Sequence, residues 1–273
     1  MSFFRGTAIA AAIALVVSVG GCGSSSTPSN TPVFNKPNNP DAIMKLIKPA
    51  AAAVPSEGIA AAILLDASGS MKDEVPGSDG KPRPKIQDAQ DALFNLGRQV
   101  SAFGKKHPDK KLLVGIYDFS FRQGQPSCRQ IVRIGPPDVN AAQDAIKGVV
   151  PDGSTPIGDA MIAAARDLNA TGFAHRHILV ITDGENNIGY LPGDVARVVV
   201  QGPEADRAAV YFIAFDVGAE LFNPVKDAGG LVMAANSEQQ LTDTLDFILT
   251  GKILVEQPIA PSPPPHPPVG ARK

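Results

Sequence analysis

Four continuous apolar runs, each closing on a polar turn, constrain this chain more than any other feature. They are Ile59 to Leu65 (IAAAILL), Leu112 to Phe119 (LLVGIYDF), His177 to Thr182 (HILVIT) and Val210 to Phe215 (VYFIAF). None alternates apolar with polar residues, so neither face is set aside for water, as expected of strands in a parallel sheet covered on both sides. Between them lie stretches with helical spacing. Lys85 to Lys105 places Ile86, Ala89, Leu93, Leu96, Val100 and Phe103 on one face. Helices are likewise predicted over Val139 to Val149, Ile157 to Leu168, Val195 to Val200, Leu221 to Ala228 and Glu238 to Leu249, with a short strand at Leu231 to Ala234. Arg129 to Ile134 alternates and follows a Gly/Pro/Ser turn, which suits an antiparallel partner at a sheet edge. Strands alternating with helices predict a doubly wound α/β domain over residues 58–251: a mostly parallel sheet, helices on both faces, one antiparallel edge strand.

In an open parallel sheet, ligands bind beyond the carboxyl ends of the strands, so the residues that follow each run are the ones to inspect. The first run is followed by Asp66-Ala67-Ser68-Gly69-Ser70, and HILVIT by Asp183-Gly184-Glu185-Asn186-Asn187. A third loop, Asp152-Gly153-Ser154-Thr155-Pro156, precedes the helix at Ile157. Carboxylates and hydroxyls are hard oxygen donors, the set suited to Mg²⁺, Mn²⁺ or Ca²⁺, and no His or Cys in these loops favours a softer metal. Asp66, Ser68 and Ser70 alternate, so one tight turn can aim all three the same way, with Gly69 and Gly153 leaving the backbone room to turn. Pro156 suits the first position of its helix and fixes the loop that carries Thr155. With at most two formal negatives around it, a divalent ion would keep positions for water, and an incoming carboxylate could replace one. Any one such loop is also a common turn former; three at the same sheet edge make a site. Asp159 is placed to favour its helix dipole, Glu185 to stay solvated, and Asp73 and Glu74, opening the insertion DEVPGSDGKPRP, to form a rim.

Asp66-x-Ser68-x-Ser70, a Thr on a later loop and an Asp-Gly after a buried strand resemble the metal-ion-dependent adhesion site (MIDAS) of von Willebrand factor A (vWA) domains. GSTPIGDA and ITDGENN are similar to the second and third motifs of bacterial members. The resemblance covers nearly the whole body and implies a vWA/Rossmann-like fold. It implies Asp66, Ser68, Ser70 and Thr155 as the nearest metal ligands, with Asp183 acting directly or through water. It also implies a binding role, with Mg²⁺ (or Mn²⁺ or Ca²⁺) completing its coordination on an exposed Asp or Glu of a protein partner. Two other readings stay open here: a metal-independent scaffold or assembly factor of the cell envelope, and a metal-assisted hydrolase. Against the hydrolase stands the want of a general base near the cluster, of a G-x-S-x-G elbow and of phosphate-binding glycine loops, so a non-enzymatic role is expected.

The ends of the chain are unlike its body. Arg5 precedes an apolar run from Thr7 to Val19, too short for the roughly 20 residues that span a bilayer but suited to a signal peptide over residues 1–21. Val19-Gly20-Gly21-Cys22 resembles the lipobox of bacterial lipoproteins, which implies cleavage before Cys22, a lipid anchor on it and an exported protein held to a membrane at its periplasmic face or the cell surface. Ordinary secretion without lipid is the alternative. Residues 22–57 read as a flexible tether rich in Ser, Asn, Thr and Pro, ending in a short helix, Ala42 to Lys48, capped by Asp41. Residues 252–273 form a tail with seven prolines between Gln257 and Val269, which favours polyproline II. With 25 Lys+Arg against 27 Asp+Glu and no basic run, the chain has no electrostatic footprint for nucleic acid. Two cysteines make neither a disulfide framework nor a Cys-rich zinc site, and Cys128 is expected as a hindered thiol. His175 and His177, at the amino end of their strand, are expected to pack or face solvent rather than ligate.

Overall fold

The computed structural model describes residues 34–35, 39–51, 53–77 and 80–255. The segment expected as a signal peptide, Cys22 with its expected lipidation, most of the expected tether before Asn39 and the tail from residue 256 onward lie outside the described residues.

Six strands form the central sheet: β1 (Ser56–Asp66), β2 (Leu112–Phe119), β3 (Cys128–Gly135), β4 (Phe173–Thr182), β5 (Ala209–Phe215) and β6 (Leu231–Ala235). Their order is β6-β5-β4-β1-β2-β3, parallel throughout except for β3, which pairs antiparallel with β2 at one edge. Among the described residues seven α-helices accompany them: α1 (Pro40–Leu46), α2 (Lys85–Lys106), α3 (Val139–Lys147), α4 (Ile157–Asn169), α5 (Pro192–Gln201), α6 (Asn223–Asp227) and α7 (Glu238–Ile248). The fold is the doubly wound α/β arrangement that the alternation of runs and amphipathic stretches predicts.

Strand β1 shows why its run is apolar without a break. Ile59, Ile63 and Leu65 point into a core shared with α2, α3 and α7, while Ala60, Ala62 and Leu64 point into a second core shared with α1, α4, α5 and α6. Successive side chains of a strand alternate between faces, so a strand sandwiched by helices needs an apolar residue at every position. Burying a large aliphatic side chain contributes about 1.5–3 kcal/mol, and both faces of β1 collect it.

Strand β1 is followed by β2 on one side, and β4 lies on the other. The order therefore reverses between β1 and β4, and at that switch point the loops leaving the two strands diverge and open a crevice at their carboxyl ends. Asp66 ends β1 and Asp183 follows β4 directly.

Several local boundaries differ from the sequence reading. Helix α1 starts at Pro40 with Asn39 as its cap: the Asn39 side chain accepts the Ala42 N–H at 3.1 Å, and proline suits the first helical turn, where its missing donor costs nothing. Ile43 and Ile47 of this segment are fully buried, whereas Leu46 is exposed. The stretch expected as one helix over Leu221 to Ala228 is a 3₁₀ turn, Ala219–Phe222, that gives way to α6, with Pro224 in the first turn of the new helix. The insertion after Lys72 forms a two-stranded antiparallel ribbon, Glu74–Pro76 against Pro82–Pro84. Pro156 sits at the cap position of α4, one place earlier than expected. His177 is a buried packing histidine, stacked on Tyr211 with ring centroids 5.9 Å apart. Burial pushes its imidazole down to about 4, and the neighbouring His175 adds to the effect. Cys128 is half-buried and free, and burial pushes its thiol up to about 12, with Asp118 adding to the shift. Among the described residues no helix is long and apolar enough to cross a membrane.

Candidate metal centre

Backbone hydrogen bonds lace the three polar loops together at the switch point. The Gly69 N–H donates to Gly153 O at 3.0 Å and the Asp152 N–H to Ala67 O at 2.8 Å, joining the loop after β1 to the loop before α4. Asn187, in the loop after β4, accepts the Thr155 N–H on its side-chain oxygen at 2.8 Å, and its own N–H donates to Thr155 O at 3.2 Å. Asn186 accepts the Gly158 N–H at 3.3 Å. Gly153 makes the approach possible: its φ of +84° favours glycine, and a methyl group there would overlap Phe121 O.

The side chains form one connected chain inside this frame. Asp66 Oδ1 accepts the Ser68 N–H at 2.7 Å, which folds the loop back over the strand end. Its other oxygen accepts the Thr182 hydroxyl at 2.6 Å. Ser68 Oγ and Ser70 Oγ lie 3.2 Å apart, and the Ser70 hydroxyl donates to Asp183 Oδ1 at 2.7 Å. Asp66, Ser68, Thr155 and Asp183 are all buried, and Ser70 is half-buried. Of the five residues that the sequence singles out, four therefore meet through side chains or side chain to backbone, and Thr155 is carried to them by its laced loop.

Electrostatically the cluster is short of positive charge. Burial, with the Asp183 charge adding to it against the hydrogen bonds from Ser68 and Thr182, pushes the Asp66 carboxyl up to about 7. Asp183 is raised too, mainly by burial, with Ser70 and Lys85 working the other way. The Asp183 charge opposes ionisation of Asp66, and Asp73 adds to the rise at Asp183; a cation at the cluster would relieve both effects. The donor set of carboxylates and hydroxyls fits a hard divalent ion. Among the described residues no group of three or more His, Cys, Asp or Glu is placed to hold a metal, so an ion here would rely on hydroxyls and water beside its two carboxylates.

The charge count made from sequence omits a cation. Lys85, the first residue of α2, places Nζ 3.2 Å from Asp183 Oδ2 and 2.9 Å from Asp216 Oδ2. Burial alone would lower this ammonium, but the Asp216 and Asp183 carboxylates together outweigh it and hold it above the ordinary lysine range. Asp216, just past β5, has φ +56°, a left-handed conformation uncommon outside glycine, asparagine and aspartate. Lys85, Thr182, Asn186, Asn187 and Asp216 are thus the parts of the site that the sequence reading missed. Asp159 accepts the Tyr190 N–H at 3.1 Å and braces the loop after β4.

Comparison with solved structures places the fold. The chain has a vWA-type fold, shared with the von Willebrand factor type A protein from Catenulispora acidiphila (18% identity, 73% of this chain and 46% of that one, TM-score 0.51). It also superposes on the vWF domain of the type V pili tip protein Mfa5 from Porphyromonas gingivalis (12% identity, 77% of this chain and 99% of that one, TM-score 0.55). A third match is the PilB minor pilin from Streptococcus sanguinis (16% identity, 72% of this chain, TM-score 0.53), of whose length this chain spans 61%. No protein-family model matches the sequence, and no curated protein matches it.

Proposed function

We propose that this chain is an exported, lipid-anchored binding protein that engages a protein partner through a divalent metal ion. Asp66, Ser68, Ser70, Thr155 and Asp183 would hold the ion, Mg²⁺ with Mn²⁺ or Ca²⁺ as substitutes, and an exposed Asp or Glu of the partner would complete its coordination. One observation carries this reading: two buried carboxylates, Asp66 and Asp183, are joined through serine hydroxyls at the switch point of the sheet, where their charges oppose each other. When bound, the metal supplies a Lewis-acidic position that prefers a carboxylate from outside. The chain's own residues supply a prearranged cradle of carboxylates and hydroxyls that leaves open positions for water or a partner carboxylate. The likeness of the fold to a pilus tip domain and a minor pilin supports a role in adhesion or assembly at the cell surface, and a binding rather than a catalytic one.

Calorimetric titration of Mg²⁺ into the chelator-stripped protein, beside Asp66→Ala, tests the reading. Saturable binding by the parent and none by the folded variant is expected. Equal binding by both would overturn the assignment of the ligands. Capture of a surface partner that survives chelation would favour instead the metal-independent scaffold.

A further inference from the structure

The ammonium of Lys85 already does part of what a divalent ion would do at this site. It is nearly buried and bonded to Asp183 on the oxygen opposite the one that accepts from Ser70. Its second contact, Asp216, belongs to a different loop, so Lys85 is held between one carboxylate of the proposed cradle and one outside it. Nothing about a solvated first residue of a helix demands such a position: the side chain gives up most of its hydration to reach it.

We infer that Lys85 is an internal competitor of the metal, a positioning residue that neutralises Asp183 when no divalent ion is bound and sets how tightly one binds. The inference rests on the metal-site reading above. A fixed positive charge on a carboxylate ligand repels an arriving dication and withdraws part of that ligand's charge from it. Asp216 is the counterweight. By sharing the ammonium, it limits how fully Lys85 can satisfy Asp183. The two residues therefore act in opposite directions on the same affinity, which a merely structural ion pair would not do. Metal binding weakened in this way is poised to depend on a further negative group, such as the carboxylate of a partner, to bind tightly.

Calorimetric titration of Mg²⁺ and Mn²⁺ into the full-length protein and the variants Lys85→Met, Lys85→Arg and Asp216→Asn tests this, with circular dichroism to show that each is folded. Lys85→Met is expected to bind metal at least about tenfold more tightly than the parent. Lys85→Arg should stay near the parent, and Asp216→Asn should bind more weakly. Binding by Lys85→Met alone, with none by the parent, would also support the inference. Should Lys85→Met bind no more tightly than a parent that does bind, the inference fails while the metal site stands. If neither binds metal, both fail together. A Lys85→Met chain that is unfolded without metal but folded and saturable with it counts in favour, because the ion then replaces the missing charge; one that no metal refolds, beside an Asp216→Asn that matches the parent's affinity, counts against.

Discussion

The Ser70 hydroxyl lies 2.7 Å from Asp183 Oδ1, so a residue of the loop after β1 donates across the switch point to the residue that follows β4. The two loops are more than a hundred residues apart in sequence, and their meeting depends on β1 and β4 being neighbours in register, Leu65 beside Ile181. The site is a product of the sheet order.

Replacing one of the opposed carboxylates should separate binding from stability. Asp66→Asn removes a buried charge that burial and Asp183 both disfavour. The metal-free variant is expected to be more stable than the parent by about 1–3 kcal/mol near neutral pH, while losing metal binding. Urea denaturation with and without Mg²⁺ measures both effects.

The same conflict predicts that metal stabilises the parent. An ion that binds only the folded chain adds about 2.7 kcal/mol at a hundred times its Kd. Melting curves should move upward with Mg²⁺ in the parent and return on chelation, and Asp66→Ala should melt at one temperature under both conditions.

Backbone geometry at Gly153 should matter as much as the ligands. With φ at +84° and Phe121 O in the way of any side chain, Gly153→Ala must shift the loop that carries Thr155. The expected cost is about 1–3 kcal/mol of stability, together with weaker metal binding. Gly80, at φ +76° in the insertion ribbon with open space around it, is the control: alanine there should leave metal affinity unchanged.

Acid sensitivity should come from a residue far from the site. His177 is buried, and its imidazole is pushed down to about 4 from an ordinary value of 6.5. Below pH 6.5 the unfolded chain takes up a proton that the folded chain refuses until about pH 4, so stability falls as pH falls through that window. The full effect is of order 3 kcal/mol. His177→Gln should remove this loss, so the variant gains stability over the parent as pH falls from 6.5 to 4. This gain comes on top of the opposite trend set by the raised Asp66 carboxyl, and denaturation midpoints of both proteins at several pH values would show the difference.

Much of this was legible in the sequence for one reason. A strand covered on both faces must be apolar at every position, so β1, β2, β4 and β5 stand out as unbroken runs, and the polar residues behind them mark the ligand edge without further knowledge. Lys85 was not legible, because a lysine at a helix start resembles any solvated surface residue until the fold brings Asp183 and Asp216 to it. Asn187 was missed for a different reason: it works by holding the backbone of Thr155 rather than through a recognisable ligand pattern. Asp216 follows an apolar run as Asp66 does, but no hydroxyl or glycine pattern beside it drew attention. The cap of α1 was misplaced by two residues because Asp41 and Asn39 flank the same proline, and only the latter can sit outside the helix.

Strand β1 lies inside the sheet, between β4 and β2. The chain enters it at Ser56 and leaves it at Asp66; Ile59 to Asp66 pair with β2 on one side, and Ser56 and Ile59 to Leu65 pair with β4 on the other, with a bulge between Ser56 and Ile59. A pull between a partner held at Asp66 and whatever restrains the chain before Ser56 would run along this strand. That geometry loads two rows of backbone hydrogen bonds in shear, all of them at once, where a pull across the sheet would peel them one by one. If the proposed partner binds at Asp66 and the chain is held before Ser56, β1 would carry the tension between them.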